Sequence, residues 1–186
     1  MENVVLGLLI LNSLTLYDLN RAFKQGISMF YSASYGSLQI AVKKLLQKGL
    51  VVFDEQVDRG RHKKVYRITP RGRDAFREWM LAETPASKLE VTALAKVYFL
   101  GLIPEAAQRR QILTEILGKI EAALGELTAR QAALRQLDIP ASYQAVFRYQ
   151  LATLDYGLRS HAVAREWCLA LLHDLEAPRP KKKSPA

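Results

Sequence analysis

The sequence has a single cysteine and no long uninterrupted run of apolar residues. Its one cysteine, Cys168, has no partner for an internal disulfide, which excludes a disulfide-stapled fold and indicates a reducing compartment. No apolar run approaches the roughly 18 residues that a membrane helix needs. The apolar stretch Val4–Leu11 lacks the basic flank and small-residue cleavage site of an export signal. We therefore expect a core helix there, and a cytoplasmic protein that does not enter a membrane.

Sequence signatures of catalysis and of metal binding are also missing. The sequence has no phosphate-binding loop, no dinucleotide-binding glycine pattern, no HExxH, no GxSxG and no clustered pair of carboxylates. His161 and Cys168 fall on one helical stripe, but His173 is twelve residues beyond His161 and His62 lies in a different predicted element. A zinc site needs more ligands than this stripe supplies. We expect neither an enzyme nor a metal or cofactor site.

Positive charge is unevenly distributed along the 186 residues, which carry a net charge of +9. Residues 1–83 contain thirteen lysines and arginines against eight aspartates and glutamates, a net charge of +5. Residues 84–177 contain ten against ten, and residues 178–186 add four basic residues. Such a distribution is typical of a protein whose N-terminal half meets a polyanion. Surfaces are often unevenly charged without such a partner, so charge alone leaves both interpretations open.

Capping residues predict three helices in the first 50 residues. Asn3 is expected to cap a first helix that ends at Leu11. Residues 15–25 begin with a capping-box pattern, threonine followed three positions later by aspartate, and predict a second helix. Serines in residues 32–34 offer N-caps for a third helix over residues 35–48, which the following glycine ends.

Two strands and a fourth helix are predicted next. Residues 50–57 and 64–68 are rich in valine, phenylalanine, tyrosine and isoleucine, and residues 58–61 between them are turn formers. Thr69–Pro70 is an N-cap followed by proline in the first helical position, which predicts a fourth helix. The order helix, helix, helix, strand, strand, helix is that of a winged helix-turn-helix DNA-binding domain, which we place at residues 1–83.

The remaining sequence is predicted to be helical. A short helix over residues 89–102 precedes long helices over about 104–137 and 141–175, whose apolar residues recur at alternating three- and four-residue spacings. Neither long helix can bury its seam alone, so the two should pair antiparallel in a dimerisation domain over residues 88–176. Residues 177–186, rich in proline and lysine, are expected to be a disordered basic tail. The residues expected at the seam and the dimer contact are Leu113, Leu117, Ile120, Leu124, Leu151, Leu154, Leu158 and Trp167.

The expected fold is thus mainly α with a small β-hairpin, and its third helix has one face suited to DNA. The residues expected to pack inward are Leu38, Ala41, Val42 and Leu45. On the opposite face, lysines can contact phosphate or guanine, Gln47 can pair with adenine and Ile40 can touch a thymine methyl group. The alternative is an ordinary solvated face, with Ile40 packed against Met29 or Phe30.

The predicted hairpin carries five cationic or titratable basic residues around one glycine turn. A hairpin of this kind can act as a wing that follows the phosphate backbone or enters the minor groove. Basic loops also serve solubility alone, but the combination with the third helix favours DNA binding. The predicted interface comprises Tyr17, Ser34, Tyr35, Ser37, Gln39, Ile40, Lys43 and Lys44, with Arg59, Arg61, His62, Lys63 and Lys64 in the hairpin.

Several of these segments resemble the PadR family of transcription regulators. The matching segments over residues 4–79 are Leu6–Leu9, Leu16–Leu19, Ser34–Leu38, Lys44–Leu45, Gly49–Val51, Gly60–Arg61, Tyr66–Thr69 and Gly72–Arg73. Residues 151–157 and 165–167 resemble the C-terminal helical region of the long, virulence-activator type of this family. The resemblance implies a transcription regulator, usually a repressor, whose C-terminal helices form a homodimer. A dimer of winged helices would bind a near-palindromic operator in double-stranded DNA.

The departures from the family pattern lie on the predicted DNA face. Leu16–Tyr17 stands where the family often has Gly-Tyr, Gln39–Ile40 where it often has Tyr-Pro, and His62 where proline is frequent. They leave the expected fold unchanged and bear on the operator sequence. Two other functions stay open: a winged helix that contacts protein instead of DNA, and a sensor that releases DNA when a small aromatic or hydrophobic effector binds. The aromatic residues Phe147, Tyr156 and Trp167 could line an effector pocket between helices, but aromatic residues at helical spacing are more often ordinary core residues.

Overall fold

A computed structural model describes residues 1–25, 27, 33–58 and 61–176 of the chain. The chain divides into two compact units, one formed by Met1–Glu83 with Glu90–Pro104 and the other by Thr84–Leu89 with the chain from Glu105 onward. The described residues are mostly helical, with one small antiparallel sheet of three strands. This confirms the predicted mainly α fold, and it adds one strand to the predicted hairpin.

The first unit has the predicted succession of helices and strands. Its elements are α1 (Glu2–Leu11), β1 (Leu14–Thr15), α2 (Leu16–Gln25), α3 (Tyr35–Gln47), β2 (Val51–Asp58), β3 (Arg61–Ile68), α4 (Pro70–Leu81) and α5 (Leu89–Tyr98). Strand β3 is central and pairs antiparallel with both neighbours, so that Tyr66 lies opposite Leu14 on one side and Phe53 on the other. Strand β3 begins three residues earlier than predicted, because pairing with β2 holds basic residues that have little strand preference of their own.

Side-chain caps start three helices of this unit, but not the first. At α2 the Thr15 hydroxyl donates to Asp18 Oδ2 at 2.7 Å, and the Asp18 amide donates to Thr15 Oγ1 at 3.1 Å, as the capping-box pattern predicts. At α4 the Gly72 amide donates to Thr69 Oγ1 at 3.1 Å. The predicted cap at Asn3 is wrong. Helix α1 begins at Glu2, with Met1 in the N-cap position and no side-chain cap bond.

Helix α5 packs within the first unit, whereas the sequence interpretation placed it with the C-terminal helices. Phe99, just beyond α5, is 1% exposed. Its ring lies against Gly7 of α1 and edge-on to Phe76 of α4, with the two ring centroids 5.8 Å apart. The Lys96 side chain is equally buried, and its Nζ donates to the Ala82 carbonyl at the end of α4 at 2.5 Å. These contacts explain why residues 90–104 belong to the first unit.

The second unit is built around two long antiparallel helices, α6 (Ala106–Leu134) and α7 (Gln144–Glu176). Their pairing is as predicted: the Cys168 thiol donates to the Leu113 carbonyl at 3.4 Å, and Arg165 Nε donates to Glu121 Oε1 at 2.9 Å. Burial raises the pKa of the Cys168 thiol to about 11, with a further contribution from Glu121. The Thr84 hydroxyl donates to the Glu115 carboxylate at 2.6 Å.

Two features of the described ranges bear on other functions. No helix among these residues is both long and apolar enough to cross a membrane. Within the same part of the chain, histidine, cysteine, aspartate and glutamate side chains form no group of three or more that could hold a metal ion.

Candidate nucleic-acid interface

The start of α3 is held by a reciprocal capping box. The Ser37 amide donates to Ser34 Oγ at 3.1 Å, and the Ser34 amide donates to Ser37 Oγ at 2.9 Å. The Ser37 hydroxyl donates its only proton to the Ser34 carbonyl at 2.8 Å. Ser37 can therefore only accept a further hydrogen bond. The two serines, both predicted interface residues, thus cap the N-terminus of α3.

Helix α3 separates an apolar inner face from a polar outer one. The four residues predicted to pack inward, Leu38, Ala41, Val42 and Leu45, are all buried. The outward face, as the name is used below, consists of exposed residues: Gly36, Gln39, Ile40, Lys43, Lys44 and Gln47. Tyr35 is also exposed, and Ile40 has 58% of its surface accessible, which does not agree with packing into the core. Met29 and Phe30, the partners in that alternative, lie outside the described residues.

The β2–β3 hairpin, called the wing below, carries basic side chains on both of its faces. Directly opposed residues of antiparallel strands share a face, so Lys64 lies beside Glu55 on one face and Lys63 beside Gln56 on the other. The Lys64 ammonium is 3.9 Å from the Glu55 carboxylate and 4.2 Å from the Phe53 ring centroid. These contacts restrain Lys64, whereas His62, two residues earlier on the same strand and close to the turn, is exposed.

Other basic residues of the hairpin differ in what surrounds them. Arg67 Nε lies 2.7 Å from Asp54 Oδ2, so this arginine is neutralised within the wing. Arg61 begins β3, with Asp58 as its partner in the strand register. Arg59, another predicted interface residue, lies outside the described residues. Among the described basic side chains of β3, Lys64 and Arg67 thus contact acidic residues of β2, whereas His62 is exposed to solvent.

A concavity of roughly 540 Å³ brings the start of α2 together with the wing, which the sequence did not predict. Its lining residues are Thr15, Leu16, Tyr17, Asp18, His62, Lys63, Lys64 and Tyr66. Tyr17 projects from this edge with 67% of its surface exposed.

Hydrogen bonding by the Thr15 side chain holds the pKa of the Asp18 carboxyl below its ordinary value, with Arg21 and Lys63 adding to the effect. Burial raises the pKa of Tyr66, and nearby Tyr35 adds to that rise. Residues from α2, α3 and β3 thus meet on one side of the first unit.

The predicted dimerisation residues lie in the second unit at different depths. Leu113, Ile120 and Leu154 are buried in the packing of that unit. The others are half-buried: Leu117, Leu124, Leu151, Leu158 and Trp167. Helix α7 has a second apolar stripe that was not predicted, formed by the exposed residues Tyr149, Tyr156 and Val163. Their seven-residue spacing is visible in the sequence, but the more regular leucine seam obscures it.

Both parts of the chain match known families. Residues 5–78 match the Transcriptional regulator PadR-like family, and residues 92–176 match the Virulence activator alpha C-term family. The Negative transcriptional regulator PadR of Bacillus subtilis (strain 168) is 24% identical over 147 residues, which cover 78% of this chain and 80% of that protein.

Two crystal structures of Bacillus subtilis PadR are also similar to this chain. The complex with operator DNA is 23% identical, covers 94% of this chain and 98% of that chain, and has a TM-score of 0.45. The complex with p-coumaric acid is 22% identical, covers 95% of this chain and 96% of that chain, and has a TM-score of 0.42. The relatives are transcriptional regulators and not enzymes. The chain thus combines a PadR-like transcriptional regulator domain with a Virulence activator alpha C-term domain.

Proposed function

We propose that the chain is a homodimeric repressor that binds double-stranded operator DNA through α3 and the wing. The observation that carries the proposal is the division of α3 into a fully buried apolar face and an outward face with Gln39, Lys43 and Lys44. A helix of this kind can enter the major groove while its inner face holds it on the domain.

Different residues are proposed to position the DNA and to read it. Lys63 and Tyr17 both line the concavity between the start of α2 and the wing, where the ammonium and hydroxyl groups can contact backbone phosphates. Gln39 and Lys43 project from the outward face, where a glutamine amide can pair with adenine and a lysine can donate to guanine. Lys64 is a weaker candidate for phosphate, because Glu55 and the Phe53 ring already surround its ammonium group.

The experiment that tests the proposal measures affinity for specific and random duplexes over a range of salt concentrations. Replacing Arg61 and Lys63 together with alanine should weaken both affinities by similar factors. It should also lower the slope of log affinity against log salt by about two, since each phosphate contact contributes about 0.9. Arg67→Ala is the control, because Arg67 lies on the same strand at the end away from the turn, where its guanidinium is held by Asp54. A loss confined to the specific duplex, with an unchanged slope, would contradict the role of the wing.

Homodimerisation is proposed to use the stripe Tyr149, Tyr156 and Val163 of α7. These side chains are between 66% and 75% exposed, whereas Leu113 and Leu154 of the predicted seam are already covered within the chain. An apolar stripe at seven-residue spacing along a helix is the pattern that a second helix covers. A two-fold dimer would place two α3 helices at half-sites about one or two DNA turns apart, so the operator should be near-palindromic.

Repression in the cytoplasm is the proposed mode of action. The Bacillus subtilis relative is a negative transcriptional regulator, and a free thiol at Cys168 suits a reducing compartment. A reporter gene placed behind the selected operator should be less active when the chain is expressed than when it is absent. Increased reporter activity would identify an activator.

A small aromatic effector that weakens DNA binding is a second proposal. Phe147 and Trp167 are half-buried in the second unit, so part of each ring is accessible, whereas Tyr156 is largely exposed. p-Coumaric acid, the compound in one of the similar structures, is a suitable probe. It should raise the melting temperature of the protein and weaken operator binding. An unchanged melting temperature and unchanged operator binding would count against this effector class.

A further inference from the structure

Ile40 is an isolated apolar residue on the outward face of α3. One turn earlier, Gly36 has no side chain, and a Cβ added there would meet only Ser34 Oγ, at 4.0 Å. One turn later the exposed residues are Lys43 and Lys44. Among the described residues of the outward face, Ile40 is therefore the one apolar side chain, with a glycine one turn before it and lysines one turn after it. We propose that Ile40 packs on the 5-methyl group of a thymine in each operator half-site, a proposal that rests on the DNA-binding function proposed above.

Thymine is the base whose major-groove edge suits an aliphatic side chain. Among the four bases it alone presents a methyl group in the major groove. A branched aliphatic residue has no hydrogen-bonding group, so it can select a base only through apolar contact and shape. Covering the amino group of cytosine or adenine with Ile40 would leave that donor without a partner, which is unfavourable. Ile40 should therefore favour thymine at its position and disfavour cytosine.

The surroundings of Ile40 favour DNA as its occupant over a protein surface. Lys43 and Lys44 follow one turn later on the same face, and residues 1–83 carry a net charge of +5. These charges complement a phosphate backbone on either side of the major groove. The Ser37 hydroxyl, one turn before Ile40, has its proton committed to the Ser34 carbonyl. Because thymine presents only an acceptor and its methyl group in the major groove, Ser37 cannot bond that base and does not compete with Ile40 for it.

The test starts with selection of preferred duplexes from a random library by the full-length protein. Each thymine of the selected site is then replaced in turn by deoxyuridine, which removes only the 5-methyl group. At one position per half-site the affinity should fall about fourfold, the loss expected for one methyl group removed from an apolar contact. Replacement at the other thymines should have no effect of this size.

Variants of α3 assign the effect to its residue. Ile40→Ala should bind the thymine and deoxyuridine duplexes equally, whereas Ile40→Val should keep part of the difference. Lys43→Ala, the matched control, should weaken binding to both duplexes and leave their ratio unchanged. Circular dichroism should confirm that the helix is retained, since alanine is a better helix former than isoleucine.

The outcomes separate the two proposals. A deoxyuridine series with no effect on the wild type overturns the thymine contact while leaving DNA binding intact. An effect that persists undiminished in Ile40→Ala means that another residue contacts the methyl group, and it also overturns the proposal. A protein that selects no sequence from the library overturns the proposed operator-binding function, and the thymine contact with it.

Discussion

The contact between Gly7 of α1 and the Phe99 ring can be tested by adding a single methyl group. A Cβ at Gly7 would lie 2.7 Å from Phe99 Cε1 and Cζ, and 2.9 Å from Cδ1. Carbon atoms in ordinary contact are about 3.5–4.0 Å apart, so the ring would have to move by roughly 1 Å. Phe99 is 1% exposed and packs edge-on to Phe76, which leaves it little room to move.

Two opposing effects decide the stability of Gly7→Ala. Overpacking a core costs about 1–3 kcal/mol, whereas alanine in place of glycine inside a helix stabilises it by about 1 kcal/mol. We expect the steric cost to prevail and the free energy of unfolding to fall by about 1 kcal/mol. Gly36→Ala is the matched control in the same unit. Its Cβ would meet only Ser34 Oγ at 4.0 Å, so it should be neutral or mildly stabilising.

Urea unfolding followed by tryptophan fluorescence measures the effect in the correct unit. Trp79 of α4 lies 5.6 Å from the Phe76 ring and reports on the first unit, and a Trp167→Phe background removes the signal of the second unit. Phe99→Leu removes the ring atoms that the new methyl group would meet. In that background Gly7→Ala should no longer destabilise. If Gly7→Ala is as well tolerated as Gly36→Ala, or if its cost is unchanged in the Phe99→Leu background, the packing of Phe99 on α1 is not as described.

Three further predictions follow from the same structure. Lys43→Ala or Gln39→Ala should lower the preference for operator over random DNA by about 1–3 kcal/mol per lost bidentate contact, and a competition assay with an unchanged preference would reject α3 as the reader. Tyr156→Asp should give a folded monomer by light scattering and circular dichroism, whereas Leu154→Asp should unfold the second unit because it places a charge in the core; a Tyr156→Asp dimer would contradict the proposed stripe. Asp18→Asn should lower the melting temperature at neutral pH, because the lowered pKa of Asp18 means that its carboxylate stabilises the folded state. That contribution is present above the ordinary aspartate pKa of about 3.9 and is lost as pH falls through the lower pKa of the folded state. The melting temperatures of the wild type and Asp18→Asn should therefore converge in acid. A difference in melting temperature that is constant with pH would refute the role of the charge.

The elements that local signals define were predictable from the sequence. The capping box of Thr15 and Asp18 involves residues three apart, as does the cap that Thr69 forms with the Gly72 amide. The buried face of α3 follows from apolar residues spaced three and four apart, which a helix must place on one side. The failure at Asn3 has a local cause too, because helix ends vary by a residue or two.

Other features depend on residues distant in the chain, and no local pattern contains them. Strand β1 has two residues and exists because Leu14 and Thr15 pair with Tyr66 and Val65. The side chain of Lys96 would be expected in solvent, yet it is buried because the end of α4 offers it a carbonyl acceptor.

The candidate interface shows the same division. Helical periodicity alone separates the outward face of α3 from its buried face, so Gln39, Ile40 and Lys43 could be named as candidates from the sequence. The meeting of Tyr17 with Lys63 in one concavity could not, because 46 residues separate them and only the pairing of β1 with β3 brings the start of α2 to the wing. Helix periodicity and capping depend on residues a few positions apart. Strand pairing and core packing depend on residues that are distant in the sequence and meet only in the folded chain.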